Sequence, residues 1–178
     1  MRIIAGEWRG RALKAPAGRT TRPTSDRARE ALFSMLTSRL GSFEGLRVAD
    51  LFAGTGALGL EALSRGAAHC TFVENDRGAI AALKANVDAL GAGARAEVRA
   101  QSALTPVGGP FDLVMLDPPY GTGLGQQALA ALAGRQGFNT GCLVSIETAR
   151  DEAVDIPGLA PDTERTYGKA RLVLLRAL

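Results

Sequence analysis

The stretch RVADLFAGTGALGLEALS, residues 47–64, decides the fold class. It begins with a short apolar run typical of a buried strand, passes through two closely spaced glycines, and ends in an apolar pattern with helical spacing. Gly54 and Gly56 allow a tight turn and a close approach of the backbone to a ligand, and Gly59 lets the helix pack against the strand. A strand, a glycine loop and a helix in this order are typical of nucleotide-binding α/β folds.

The alternation of strands and helices continues on both sides of this loop. We expect further strands near residues 71–74, 96–99, 111–116 and 142–147, helices near 26–40, 57–65, 77–90 and 125–133, and hairpins near 2–15 and 164–176. This pattern predicts an α/β fold with a seven-stranded, mostly parallel sheet and a C-terminal antiparallel hairpin. The carboxyl ends of its parallel strands share one edge, where ligands bind.

The composition is that of an ordinary globular protein and excludes several classes. The 178 residues are 46% hydrophobic and 22% charged, which argues against wholesale disorder. The longest uncharged run, residues 118–134, contains two prolines and two glutamines, so no membrane span is expected. Charges near the N-terminus replace the apolar run of a signal peptide, and we expect a cytosolic protein. The single histidine, His69, and two isolated cysteines do not predict a metal site.

Positive charge is concentrated at the N-terminus. Residues 1–29 carry eight Arg or Lys and two acidic residues, a local charge of +6, whereas the whole chain carries only +3. We therefore interpret residues 1–20 as a basic β-hairpin arm and residues 21–178 as a Rossmann-like domain, within one globular unit overall. Such an arm predicts a polyanionic partner, and the alternative is a solvated arm with no partner.

The glycine loop and Glu74 together predict a cofactor that contains adenosine. Glu74 ends the next strand, twenty residues after Gly54, which is the distance at which a carboxylate can accept hydrogen bonds from both hydroxyls of a ribose. Asp50 lies four residues before the first glycine, where its charge would repel a pyrophosphate but suits the amino group of a methionine moiety. We therefore expect S-adenosylmethionine rather than NAD.

The sequence DPPY, residues 117–120, closes the strand expected at 111–116. The Asp117 carboxylate and the Pro118 carbonyl can accept hydrogen bonds from an aromatic NH₂ group, which favours a pyramidal nitrogen whose lone pair points at the methyl group to be transferred. Two successive prolines fix their own φ angles, and Tyr120 can stack on a base. The tetrapeptide resembles that of methyltransferases acting on exocyclic or amide nitrogens, which implies that Asp117, Pro118 and Tyr120 are catalytic.

The N-terminal block narrows the resemblance to one family. The segments RIIAGEWRGR at residues 2–11 and RPTSDRAREALF at residues 22–33, together with FAGTG, DPPY and the closing hairpin, resemble the RsmD-type bacterial methyltransferases over essentially the whole chain. The resemblance implies a class I methyltransferase fold and methylation of a guanine N2 amine by S-adenosylmethionine. The implied substrate is 16S ribosomal RNA within a small ribosomal subunit or an assembly intermediate.

Residue assignments follow from the motifs and the resemblance. Cofactor contacts are expected at Asp50, Phe52, Ala53, Gly54, Gly56, Glu74, Asn75, Ser102, Ala103 and Asp117, and RNA contacts at Arg2, Trp8, Arg9, Arg11, Lys14, Arg19, Arg22 and Arg27. Ser102 stands where many of these enzymes place an acidic residue or Asn near the adenine amino group. Trp8 either stacks on a base or packs on the body of the protein.

Three alternatives remain open from the sequence. DNA adenine-N6 and protein glutamine-N5 methyltransferases use related motifs, but the former usually carry a further recognition domain and the latter generally have Asn in place of Asp117. A non-catalytic ribosome-assembly factor would not need the intact Asp50, Glu74 and Asp117. A nicotinamide dehydrogenase would have to rely on His69 for proton transfer.

Overall fold

The computed structural model describes residues 1–17 and 26–178. Its seven-stranded sheet contains β1 (Arg47–Leu51), β2 (His69–Glu74), β3 (Ala96–Ala100), β4 (Phe111–Leu116), β5 (Phe138–Ala149), β6 (Leu159–Tyr167) and β7 (Ala170–Ala177). Four α-helices are found in the described ranges: α1 (Asp26–Leu40), α2 (Ala57–Ser64), α3 (Arg77–Ala89) and α4 (Leu124–Ala133). None of them is long and apolar enough to cross a bilayer.

The strands lie in the order β3-β2-β1-β4-β5-β7-β6, and β7 runs antiparallel to both of its neighbours. The predicted α/β class, parallel sheet and closing hairpin are confirmed. Strand β5 extends beyond the predicted residues 142–147, because Phe138 pairs with Phe111 of β4 ahead of a register shift, and Thr148 and Ala149 pair with β7. The two faces of the sheet bury separate apolar clusters, so that Val48 and Ala49 of β1 point into different clusters.

The position of β1 beside β4 creates the ligand-binding edge. The chain adds β2 and β3 on one side of β1, then crosses to add β4 on the other side. Connections leave β1 and β4 in opposite directions, which opens a crevice at their carboxyl ends. Leu51 pairs with Leu116, so the glycine loop after β1 and the DPPY segment after β4 begin side by side.

The N-terminal residues 1–17 form part of the main core. The predicted hairpin is present as one antiparallel bridge, Arg2 with Ala12, flanked by backbone hydrogen bonds that join Ile3 to Arg11 and Leu13 to Met1. The side chains of Ile3, Trp8 and Leu13 are buried in the cluster that also contains residues of α1, α2 and α3. The described part of the predicted arm is therefore a docked segment, and residues 18–20 lie outside the described ranges.

Polar groups on α2 hold this segment in place. The buried Glu61 carboxylate accepts hydrogen bonds from the amides of Ile4 and Ala5, at 2.8 and 3.4 Å respectively. Gly6 has a φ of 85°, and a Cβ there would come within 1.9 Å of the Ser64 carbonyl oxygen. Only glycine allows the backbone to approach α2 this closely.

Candidate functional site

Three cavities lie at the carboxyl edge of the sheet and share wall residues. The outer cavity, about 240 Å³, is lined by Phe52, Glu74, Asn75, Ser102 and Ala103, among others. The central cavity, about 460 Å³, is lined by Phe52, Gly54, Glu74, Asp117, Pro118 and Tyr120. The inner cavity, about 80 Å³, is lined by residues that include Leu32, Leu58, Asp117, Ser145, Glu147 and Tyr167. Glu74 therefore belongs to the outer and central cavities, and Asp117 to the central and inner ones.

Gly54 is the glycine of the loop that lines the central cavity. Gly54 has a φ of 58°, and a Cβ built there would meet no atom within 4 Å. Phe52 also has a positive φ, 60°, which is unusual for a bulky residue and is the kind of strain that clusters at functional sites. Both residues, which the sequence predicts to contact a cofactor, line the central cavity.

Gly56 packs against the core on the side where a side chain would lie, and its expected cofactor contact stays a prediction. A Cβ at Gly56 would lie 2.3 Å from Leu83 Cδ1, and the Gly56 amide donates to the carbonyl oxygen of Ala53. Its φ of 83° lets α2 begin directly after the loop. Ala53, another expected contact, is buried and donates its amide to Val73. The predicted packing role of Gly59 agrees with the structure, since a Cβ there would lie 2.3 Å from Phe72.

Glu74 organises the loops around it. Its Oε1 atom accepts a hydrogen bond from the Gly54 amide, and its Oε2 atom accepts from the amides of Asn75 and Asp76, each at 2.9 Å. A carboxylate offers about four acceptor positions, so these three bonds leave one for a ligand hydroxyl. The same side chain can thus fix the loop after β1 and contact a ligand in the outer or central cavity.

The remaining expected contacts in the outer cavity are also where the motifs place them. Asn75, Ser102 and Ala103 lie on its wall, after the carboxyl ends of β2 and β3. The Ser102 hydroxyl accepts a hydrogen bond from the Leu104 amide at 3.1 Å, so it caps its own turn. Leu104 and Leu124 complete the wall with apolar surface and were missed, because an apolar residue in a loop gives no sequence signal of its function.

Asp50 lies beneath the glycine loop, which corrects its expected direct contact with a ligand. Its side chain is 1% exposed, and its Oδ2 atom accepts a hydrogen bond from the Gly59 amide at 2.9 Å. Its Oδ1 atom has no hydrogen-bond partner among the described residues. Burial raises the pKa of Asp50 well above the usual range, and the Asp117 and Glu74 carboxylates raise it further, whereas the Gly59 amide lowers it. A cation above the loop would stabilise this carboxylate through space, so the site fits a positively charged ligand.

Substitution of Asp50 by asparagine should stabilise the protein at alkaline pH. Because the pKa of Asp50 is raised in the folded state, the folded protein binds a proton on this carboxyl more tightly than the unfolded chain does. The stability that the bound proton contributes is fully present below the unfolded pKa, about 3.9, and is lost as pH rises through the folded pKa. Asparagine keeps an acceptor for Gly59 without the buried charge. In calorimetry at pH 8 the variant should melt a few degrees above the wild type, since 1 kcal/mol corresponds to about 2–4 °C here, and the difference should vanish near pH 4. A lower Tm at pH 8 would contradict this.

The DPPY segment connects the central and inner cavities. Asp117 follows β4 directly, Pro118 is buried, and a Cβ at Gly125 would lie 2.7 Å from the Pro118 ring, so the start of α4 holds this turn. The Tyr120 hydroxyl donates a hydrogen bond to Oε1 of Glu147. Each of the three predicted catalytic residues thus lines the central cavity.

Glu147 is a residue that the sequence analysis missed. Leu116 of β4 pairs with Ile146 of β5, so Asp117 and Glu147 occupy neighbouring positions at the carboxyl edge. Both carboxylates line the inner cavity. A single acidic residue near the end of the apolar run CLVSIE, residues 142–147, is the signal that would have found it, since the same pattern identified Glu74.

The residues expected to bind RNA fall into three groups. Arg2, Arg9, Arg11, Lys14 and Arg27 are exposed, whereas Arg19 and Arg22 lie outside the described residues. Trp8 is 6% exposed, and the Arg95 guanidinium lies 5.0 Å from its ring centroid. The indole is therefore packed on the body, which corrects its assignment to RNA. No group of three or more potential metal ligands is present within residues 1–17 and 26–178.

The chain is similar to known proteins over most of its length. The chain matches the family model described as "Conserved hypothetical protein 95" over residues 1–176. It is 40% identical over 163 residues to the Ribosomal RNA small subunit methyltransferase D of Haemophilus influenzae, covering 88% of this chain and 83% of that protein. The protein of the same name from Escherichia coli K12 is 41% identical over 150 residues, covering 83% and 74% respectively.

Solved structures extend the similarity to the whole fold. The structure of yhhF from Escherichia coli is similar with a TM-score of 0.87 and 36% identity, covering 99% of this chain and 97% of that one. Magnesium protoporphyrin IX methyltransferase from Synechocystis, solved with bound SAM, shares the fold alone, with a TM-score of 0.65 and 15% identity over 84% of this chain and 79% of that one.

Proposed function

Because this chain belongs to the RsmD family of small-subunit ribosomal RNA methyltransferases, we propose that it transfers a methyl group from S-adenosylmethionine to the N2 amine of a guanine in 16S ribosomal RNA. The observation that carries the proposal is the position of Asp117 on the walls of both the central and the inner cavity. A methyl donor in one cavity and a base in the other would meet at this carboxylate.

The cavity walls supply suitable partners for each part of the cofactor. Ser102 and Ala103 would border the adenine in the outer cavity, and Glu74 would accept a hydrogen bond from one ribose hydroxyl. The methionine moiety would lie along Gly54 in the central cavity, above the buried Asp50. When bound, the cofactor supplies a methyl group on a positively charged sulfur, which leaves as a neutral thioether.

The chain itself contributes alignment of the target amine. Asp117 and the Pro118 carbonyl accept hydrogen bonds from the two N2 hydrogens, which directs the nitrogen lone pair towards the central cavity. The proline ring fixes the φ of Pro118 and the following Pro119 restricts its ψ, so its carbonyl direction is set before the base arrives. The Asp117 carboxylate also lies where it can take the proton that N2 releases. Alignment of this kind can lower a barrier by up to roughly 7–11 kcal/mol.

The decisive test is methyl transfer to a defined substrate. Small ribosomal subunits that lack the modification should accept a labelled methyl group from S-adenosylmethionine, and nucleoside analysis should identify N2-methylguanosine. Subunits that already carry the modification serve as the control and should accept almost none. Label in N6-methyladenosine or in protein glutamine, or no transfer to any substrate, would overturn the proposal.

Glu74→Gln should weaken cofactor binding. The substitution keeps the size of the side chain but removes the charge that holds the loop amides and would hold one ribose hydroxyl. Loss of hydrogen bonds to a charged group costs about 1.5–3 kcal/mol, so the Kd for S-adenosylmethionine should rise roughly 10- to 100-fold in calorimetric titration. Glu97→Gln, on the exposed strand β3, is the matched control. An unchanged Kd in Glu74→Gln would refute the assignment.

The double variant Arg9→Ala with Lys14→Ala should bind RNA less strongly. Both side chains are exposed on the docked N-terminal segment, so their removal leaves the core intact. If each neutralises one phosphate, the slope of log affinity against log salt should fall by about 0.7–0.9 per residue. Arg135→Ala is the control, because the exposed Arg135 follows α4 near the amino end of β5. Equal slopes in the double variant and the wild type would leave the N-terminal charges without a role in RNA binding.

A further inference from the structure

The inner cavity combines apolar walls with two carboxylates. Its walls include Leu32 of α1, Leu58 of α2 and Leu172 of β7, while Asp117 and Glu147 provide acidic groups from the neighbouring ends of β4 and β5. Such a site suits a flat, largely apolar molecule that presents hydrogen-bond donors along one edge.

An aromatic side chain lies on the wall of this cavity. Tyr167, at the end of β6, is 41% exposed and is one of the few large apolar side chains at the described surface. An exposed aromatic ring beside a cavity offers a stacking surface to an extruded nucleobase, and stacking of this kind is worth about 1–3 kcal/mol per base. RNA-modifying sites receive their target base only after it leaves its stack.

Two neighbouring carboxylates would distinguish guanine from adenine. The Watson–Crick edge of guanine carries N1–H and the N2 amine side by side, which are adjacent donors, whereas N1 of adenine is an acceptor. If Asp117 accepts from N2, the next carboxylate along the sheet edge, Glu147, lies beside the position of N1. A carboxylate repels the acceptor N1 of adenine and accepts the N1–H of guanine.

Tyr120 fixes the position of Glu147. Its hydroxyl donates a hydrogen bond to Oε1 of Glu147, so the DPPY turn and the end of β5 are held together. Tyr120 belongs to the same DPPY motif as Asp117, so this motif also orients the Glu147 carboxylate. Residues of two separate strands can in this way read two adjacent atoms of one base.

We infer that the inner cavity is a guanine-selective base pocket in which Glu147 accepts the N1–H of the target base. This inference rests on the proposed function and adds the residue that selects the base. Glu147 would contact the substrate without contacting the methyl donor, which separates base selection from methyl transfer.

The test changes the hydrogen-bonding groups of the base and of the side chain. Small subunits are reconstituted from ligated 16S RNA that carries either guanosine or 2-aminopurine riboside at the target position. 2-Aminopurine keeps the C2 amine but has an acceptor at N1. For the wild type, kcat/KM should favour guanine by roughly 10- to 100-fold. For Glu147→Gln the preference should fall at least about tenfold, because the amide can donate to N1 of 2-aminopurine.

A binding measurement gives a readout that does not depend on turnover. In the presence of S-adenosylhomocysteine, 2-aminopurine subunits should bind Glu147→Gln more tightly than the wild type, with the base extrusion followed by its fluorescence. Because each preference is a ratio for one protein, the fraction of folded variant cancels. Ser145→Ala is the matched control, since Ser145 lines the same cavity two residues earlier on the same face of β5.

The possible outcomes distinguish a failure of the proposed function from a failure of the Glu147 assignment. A wild type that transfers no methyl group to guanine subunits overturns the proposed function and the inference with it. A wild type that methylates guanine, together with a Glu147→Gln variant that keeps the wild-type preference, overturns only the inference. A shift of the same size in Ser145→Ala also overturns it, because cavity shape would then explain the selection. Loss of preference in Glu147→Gln alone supports it.

Discussion

Asp117→Ala should lower kcat for methyl transfer by roughly 10²- to 10³-fold and change the Kd for S-adenosylmethionine less than about threefold. The carboxylate lines the central and inner cavities and not the outer one, so under the proposed function it would face the target amine. Its loss removes an interaction that strengthens as the amine becomes pyramidal, which is an effect on the transition state. Single-turnover kinetics on small subunits and calorimetric titration of the cofactor measure the two quantities separately.

A carboxylate at the other end of β4 provides the control. Asp112 accepts hydrogen bonds from the Arg47 amide and from Asn139, both at 2.8 Å, near the amino end of β4. Asp112→Asn should keep kcat within about threefold of the wild type. If Asp117→Ala retained more than half of the wild-type kcat, Asp117 would have no part in the chemical step.

Trp8→Ala should reduce the free energy of unfolding by about 3–5 kcal/mol, the usual cost of removing a large buried aromatic side chain. The indole is buried, its backbone amide donates to Ser64 Oγ at 3.0 Å, and Arg95 packs over its ring. Denaturant unfolding followed by circular dichroism gives the value. Removal of the basic arm, residues 1–20, would accordingly disrupt the core, because Ile3 and Leu13 would be lost with Trp8.

Trp8→Phe separates burial from base stacking. Phenylalanine fills most of the indole volume, so its cost should be roughly 1–2 kcal/mol. RNA affinity should be unchanged in the phenylalanine variant. If Trp8→Ala kept the wild-type free energy of unfolding and bound RNA more weakly, the indole would stack on RNA and would not stabilise the core.

The sequence predicted the fold well because the decisive signals are local. Helix α1 at Asp26–Leu40 and strand β4 at Phe111–Leu116 have the predicted bounds, since apolar spacing and turn residues define both. The carboxyl-edge rule then brought Gly54, Glu74 and Asp117 to one site without any knowledge of distances. Motif residues that follow strands directly are predictable in this way.

Side-chain direction was less predictable, because it depends on distant parts of the chain. Gly56 faces Leu83 of α3, and the side chain of Asp50 is held beneath the loop by the amide of Gly59. Glu147 acquires its position beside Asp117 only from the register of β4 and β5, which no local pattern specifies. The motif identified the loop correctly, whereas packing decided which atoms face the ligand.

The docking of residues 1–17 also has a consequence for the order of events during synthesis. Ile4 bonds to Glu61, 57 positions later, and the Lys14 amide bonds to Asn86, 72 positions later. The N-terminal segment therefore leaves the ribosome long before α2 and α3 exist, and contacts between such distant residues form slowly. The Asn86 side chain also donates to the Thr55 carbonyl, inside the glycine loop. The nascent chain should thus complete its glycine loop only when residues 1–17 return to join it, which makes this segment one of the last parts to fold.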